Sequence, residues 1–152
     1  MRYLIKEKVW SMKGKARIMD ENENVLLTLE GKTFSWGHKL TMRDAQDQEV
    51  AYIEQKVGAW RPPYHIYRNG EMFAELSKDK GWFNRHYTLD VPGPNDYSIK
   101  ASNWRFKYDF YRRGRIVAKV DRPMWSWNRP YAVDIEEGED AVAFLAAIIA
   151  LD

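Results

Sequence analysis

The chain has 152 residues, a 14% aromatic content, no cysteine and a net charge of +2 at pH 7. That length suits one domain over residues 1–152, with enough chain to bury a sizeable core. The lack of cysteine excludes disulfides, thiolate zinc sites and cysteine nucleophiles.

The chain opens Met1-Arg2-Tyr3-Leu4-Ile5-Lys6-Glu7-Lys8. Charge follows too soon after a very short apolar run for a cleavable signal sequence. A soluble, cytoplasmic protein is the expectation, peripheral to the membrane if its ligand is a lipid.

An aromatic residue, a small or basic turn and an alternating stretch then recur every 21 to 26 residues. The markers are Trp10, Phe34-Ser35-Trp36-Gly37, Trp60, Trp82-Phe83, Trp104 and Trp125-Ser126-Trp127. Between them lie hairpin turns. Glu21-Asn22-Glu23-Asn24 and Ala45-Gln46-Asp47-Gln48 each separate two apolar-rich segments. Asn69-Gly70 is a type I′ pair, the strongest short hairpin signal. Arg113-Gly114 holds the matching place 44 residues later, with Tyr64/Tyr108, Tyr67/Tyr111 and Ala74/Ala118 in step. Val91-Pro92-Gly93-Pro94-Asn95-Asp96 reads as a loop, because its prolines remove ladder donors.

Ala141 to Leu151 contains no polar residue. Alanine and leucine favour helix, and this length makes about three turns. A helix that is apolar all round must be buried all round. It is too short for a membrane span, which needs roughly 20 apolar residues. Asp140 is its expected N-cap, and Glu136, Glu137 and Glu139 add negative charge near the positive end of the helix dipole.

Six units of two strands give about twelve strands, and closing such a meander removes its exposed edges. So wide a barrel cannot fill its interior with its own side chains. The expected fold is therefore mainly β: a closed antiparallel barrel of six hairpin-like units around a buried C-terminal helix.

The opening octapeptide, Phe34-Ser35-Trp36-Gly37, Val50-Ala51-Tyr52-Ile53, Tyr108-Asp109-Phe110-Tyr111 with Gly114 and Ala118, and the Ala-rich end resemble bacterial members of the LURP-one-related family. The resemblance covers essentially the whole chain. It implies the fold shared with tubby C-terminal domains and phospholipid scramblases, a twelve-stranded barrel around a hydrophobic helix. Tubby domains bind phosphoinositides through surface basic residues, and no residue of that site is carried over to this chain. Fold does not fix function.

The chain contains no phosphate-binding glycine loop, dinucleotide fingerprint or His-Glu-x-x-His. His38, His65 and His86 fall in three different units without a partner at ligand spacing, so no metal or cofactor is expected. Asp20-Glu21 and Asp44/Asp47 suit turn chemistry. Ser11, Ser35 and Ser126 recur after aromatic residues, which suits turns rather than nucleophiles. The chain reads as non-enzymatic.

Charge is unevenly spread. Residues 100–131 carry nine basic and two acidic groups, whereas 132–152 carry six acids and no base. Folding can interleave such blocks and cancel them, or leave a basic face for an anionic partner. In Trp104-Arg105-Phe106-Lys107-Tyr108 the alternation sends rings inward and Arg105 and Lys107 outward. That arrangement leaves no rings for stacking on bases, so nucleic acid is disfavoured.

The two matched hairpins differ at their tips. Arg68 and Glu71 flank the first turn, and Arg112 and Arg115 flank the second, with Arg113 between them. Opposed like charges repel, and guanidinium groups suit phosphate or carboxylate. The candidate anion site is Arg105, Lys107, Arg112, Arg113, Arg115 and Lys119. The expected partner is an anionic membrane lipid headgroup or another anionic molecule. The alternative is a protein-interaction or structural domain that uses its Trp-bearing turns. Oligomeric state is not encoded in any pattern of the chain.

Overall fold

The structure, a computed structural model, describes residues 1–7, 15–31, 39–56, 58, 62–79, 86–92, 96–101, 106–122 and 130–151. The Trp markers, Phe34 to His38, Ser11, Ser126, Arg105 and residues 93–95 lie outside the described residues.

Among the described residues twelve strands precede one helix. They are β1 (Arg2–Glu7), β2 (Lys15–Met19), β3 (Val25–Gly31), β4 (Lys39–Asp44), β5 (Glu49–Gln55) and β6 (Tyr64–Arg68). Then come β7 (Glu71–Lys78), β8 (His86–Asp90), β9 (Tyr97–Ala101), β10 (Phe106–Arg112), β11 (Arg115–Arg122) and β12 (Tyr131–Ile135), followed by α1 (Ala141–Leu151). Every strand pairs antiparallel with its sequence neighbours, and β1 with β12 closes the barrel, Ile5 opposite Tyr131 and Arg2 opposite Asp134. The expected fold, with its six hairpins and central helix, is the one found.

The repeat has a physical basis in the turns. Asp20 accepts backbone N–H bonds from Asn22 and Asn24, both at 2.9 Å, and a third from the Asn24 side chain. These bonds hold the Asp20 carboxyl below its usual range, the Asn24 side chain contributing most. Asp44 accepts the same backbone pair from Gln46 and Gln48, also at 2.9 Å. Both acids thus do the turn chemistry their positions suggest. Glu23, Asp47, Asn69 and Arg113 all take positive φ, between 52° and 63°. A ladder irregularity precedes each of these turns, at Ile18/Met19, Met42/Arg43, Ile66/Tyr67 and Phe110/Tyr111. Such bulges add local twist, which a closing sheet needs.

Inward positions alternate along the strands. Ile5, Ile18, Leu29, Met42, Ile53, Ile66, Leu89, Ile99 and Phe110 are at most 1% exposed. They surround α1, whose Phe144, Leu145, Ile148 and Ile149 are 1%, 0%, 1% and 8% exposed. Phe144 meets Tyr97 and Phe110 edge-on, at centroid distances of 4.7 and 5.2 Å. That geometry suits the ring quadrupoles. An unbroken apolar helix is the filling this interior requires. No helix among the described residues is long and apolar enough to cross a membrane.

Candidate functional site

The β10–β11 hairpin sets Arg112 directly opposite Arg115, as the spacing implies. Neither guanidinium is left facing the other. Arg112 binds Glu139 at 2.7 Å, and Arg115 binds Glu136 at 2.9 Å. Tyr97 donates its hydroxyl to Glu139 at 2.9 Å. Burial, and then the Glu139 carboxylate, pushes the Tyr97 phenol up.

The matched residue of the other hairpin behaves alike. Arg68 stands opposite Glu71 in the ladder but binds Asp140. Asp140 also accepts the Ala143 backbone N–H at 3.3 Å, so it caps α1 as expected. Three arginines therefore fasten the loop of residues 136–140, which feeds the helix into the barrel. The like-charge pair that the sequence leaves without a purpose has a structural one. Glu136, Glu139, Asp140, Arg68 and Tyr97 form a cluster the sequence did not reveal. Its only signal was the run of acids before the helix.

The remaining candidates divide. Arg113 is exposed at the tip, with no ion pair among the described residues. Lys107 faces outward and reaches Asp121 at 3.6 Å. Lys119 also faces outward, in a cross-strand row that alternates in sign: Lys100, Asp109, Lys119, Asp134, Arg2. Arg2 holds Asp134 at 2.8 Å and keeps its carboxyl below the usual range. Lys119 has no ion pair among the described residues, and Lys100 lies 4.9 Å from the Tyr111 ring centroid. A cleft of about 610 Å³ over these strands is lined by Lys100, Lys107 and Lys119 and by Asp109, Asp121 and Asp134. Charge on this face is largely interleaved. The structure thus brings Lys107 and Lys119 together on one outer face and sets Arg113 at the hairpin tip.

On the opposite side, Glu54, His65, Glu75 and Asp90 run across β5 to β8 in one row. His65 meets Glu75 at 2.9 Å, a wall contact on a strand. His86 stands opposite Lys100. Among the described residues no group of three or more His, Asp or Glu is placed to hold a metal ion.

The chain is 34% identical over 74 residues to the uncharacterised protein YxjI of Bacillus subtilis (strain 168), covering 49% of this chain and 46% of that one. An X-ray structure of an Arabidopsis thaliana protein superposes with a TM-score of 0.67 at 16% identity, covering 98% of this chain and 88% of that one. That likeness is one of fold. The family description LURP-one-related matches residues 1–152, and the chain belongs to that family.

Proposed function

We propose that this domain is a non-catalytic binding module that takes an anionic group, foremost a lipid headgroup, on its outer surface. The family and the barrel fit a binding module of uncertain role. One observation carries the anionic reading: Arg113 at the tip and Lys119 on the adjoining strand face outward with no ion pair among the described residues. Arg112 and Arg115 act behind them, fixing the hairpin to the loop of residues 136–140.

Sedimentation with phosphatidylcholine vesicles, with and without phosphatidylglycerol, at low and high salt tests the reading. Exposed charges act over about a Debye length, roughly 8 Å at physiological salt. The expected result is sedimentation that needs the anionic lipid, fades with salt and is lost in an Arg113→Glu/Lys119→Glu double variant. A variant that sediments like the parent overturns it.

A second reading rests on the alternating row from Lys100 to Arg2. Alternating charges build no net field, but they fix register against a matching protein surface. A protein partner captured without lipid, and lost on reversing the sign of Asp109 and Lys119 together, supports that reading.

A further inference from the structure

Lys6 of β1 and Arg17 of β2 stand directly opposite one another in the ladder. Their neighbours Ile5 and Ile18, also opposed, point into the core and are 0% exposed. Alternation therefore sends both cations outward, and both are exposed. Neither makes an ion pair or hydrogen bond with a described residue. The row continues from Arg17 to Thr28 and then Arg43, with no carboxylate between them. Arg43 is occupied at its own turn, 3.9 Å from Asp47.

Directly opposed like charges repel unless something neutralises them. Arg112 and Arg115 face the same problem, and Glu139 and Glu136 answer it from within the chain. Lys6 and Arg17 have no such answer among the described residues. They line an open cleft of about 220 Å³ with Lys15, Ala16, Thr28, Leu29 and Glu30. Among the described residues Glu30 is the single carboxylate lining that cleft, and Lys15 takes it at 3.4 Å. Among the described residues the cleft thus holds three cations against one acid, where the cleft over β9 to β12 holds three against three.

We propose that Lys6, Arg17 and Thr28 form a phosphate-monoester site. The flat Arg17 guanidinium offers two parallel N–H donors to two phosphate oxygens. Lys6 supplies the second charge, and the Thr28 hydroxyl donates to a third oxygen. The net charge of the cleft matches a phosphate monoester, which carries about −1.5 to −2 at pH 7. This site lies on other strands from Arg113 and Lys119 and stands whether or not that face binds lipid.

The test uses the full chain and inorganic phosphate. Thermal melts are recorded against rising phosphate and against chloride at equal ionic strength. The expected result is a melting temperature that climbs with phosphate beyond the chloride control. That climb is lost in Lys6→Gln and in Arg17→Gln and kept in Lys119→Gln. Without phosphate, Arg17→Gln should melt no lower than the parent, since it removes a repulsion. Sedimentation with phosphatidic acid vesicles then names the source. Binding by the parent alone assigns a lipid headgroup, and a phosphate response without sedimentation assigns a soluble phosphate ester. A parent with no phosphate-specific response, or variants that respond as it does, overturns the site.

Discussion

Arg68 and Arg112 lie 44 residues apart at the same place in two repeated hairpins, and they grip consecutive carboxylates, Asp140 and Glu139. The same position of the two repeated hairpins thus holds the loop that leads into the helix. Asp140 caps the helix while Arg68 holds it, so the cap is tied to β6 as well as to α1.

Arg112→Ala should destabilise the domain by about 1–3 kcal/mol, because it leaves a carboxylate that is nearly out of water without its cation. The Glu139 side chain is only 4% exposed. Arg112→Lys should recover part of the loss, since a single ammonium cannot bridge both oxygens. Arg115→Ala should cost under about 1 kcal/mol, because that pair is largely in water. Thermal melts decide, and an Arg112→Ala protein that melts like the parent refutes the clamp.

Gly70 sits at φ 77°, and a Cβ there would meet nothing within 4 Å. The cost of a substitution is therefore conformational, not steric crowding. Gly70→Val should lose about 1–3 kcal/mol and Gly70→Ala less, because a β-branched residue fits positive φ worst. Equal melts for Val, Ala and Gly would show that the turn is not held in this form.

Leu145 is 0% exposed at the centre of α1. Leu145→Asp buries an unpaired charge and should cost several kcal/mol, against a total stability of about 5–15 kcal/mol. Truncation before Asp140 should have the same effect. A soluble truncated chain with a cooperative melt would show that the barrel stands without its filling.

Asp96, by hydrogen bond and charge, pushes the Asp90 carboxyl up, and Glu75 opposite adds to the shift. Asp90 then keeps its proton to higher pH in the folded state than in the unfolded chain. Between those two pKa values the folded state binds more protons, so stability falls as pH rises through that window. Asp90→Asn should melt slightly above the parent at neutral pH, with the advantage vanishing in acid. Denaturant midpoints across pH check this, and a variant below the parent at neutral pH contradicts it.

Most of the fold was legible in the sequence because its signals are local. Asn69-Gly70, Arg113-Gly114, the acid-led turns at Asp20 and Asp44, and the apolar run of α1 each declare themselves within a dozen residues. The candidate sites depend on register between distant segments. Arg112 meets Glu139, 27 positions on, only because β12 returns beside β11. The opposition of Lys6 and Arg17 depends on the register of β1 against β2, which no single residue announces. Its one trace is that both cations adjoin an inward isoleucine, Ile5 and Ile18.

The order of elements has a consequence for synthesis. The strand that closes the barrel pairs with β1 across 132 positions, and the helix that fills it leaves the ribosome after every strand. Until β12 emerges β1 has an unpaired edge, and until α1 emerges the inner faces of all twelve described strands lack their filling. Long-range pairing of this kind folds slowly, on about the millisecond-to-second scale, and exposes sticky edges meanwhile. The nascent chain therefore carries an open β-edge until β12 emerges and an unfilled interior until Phe144 and Leu145 emerge.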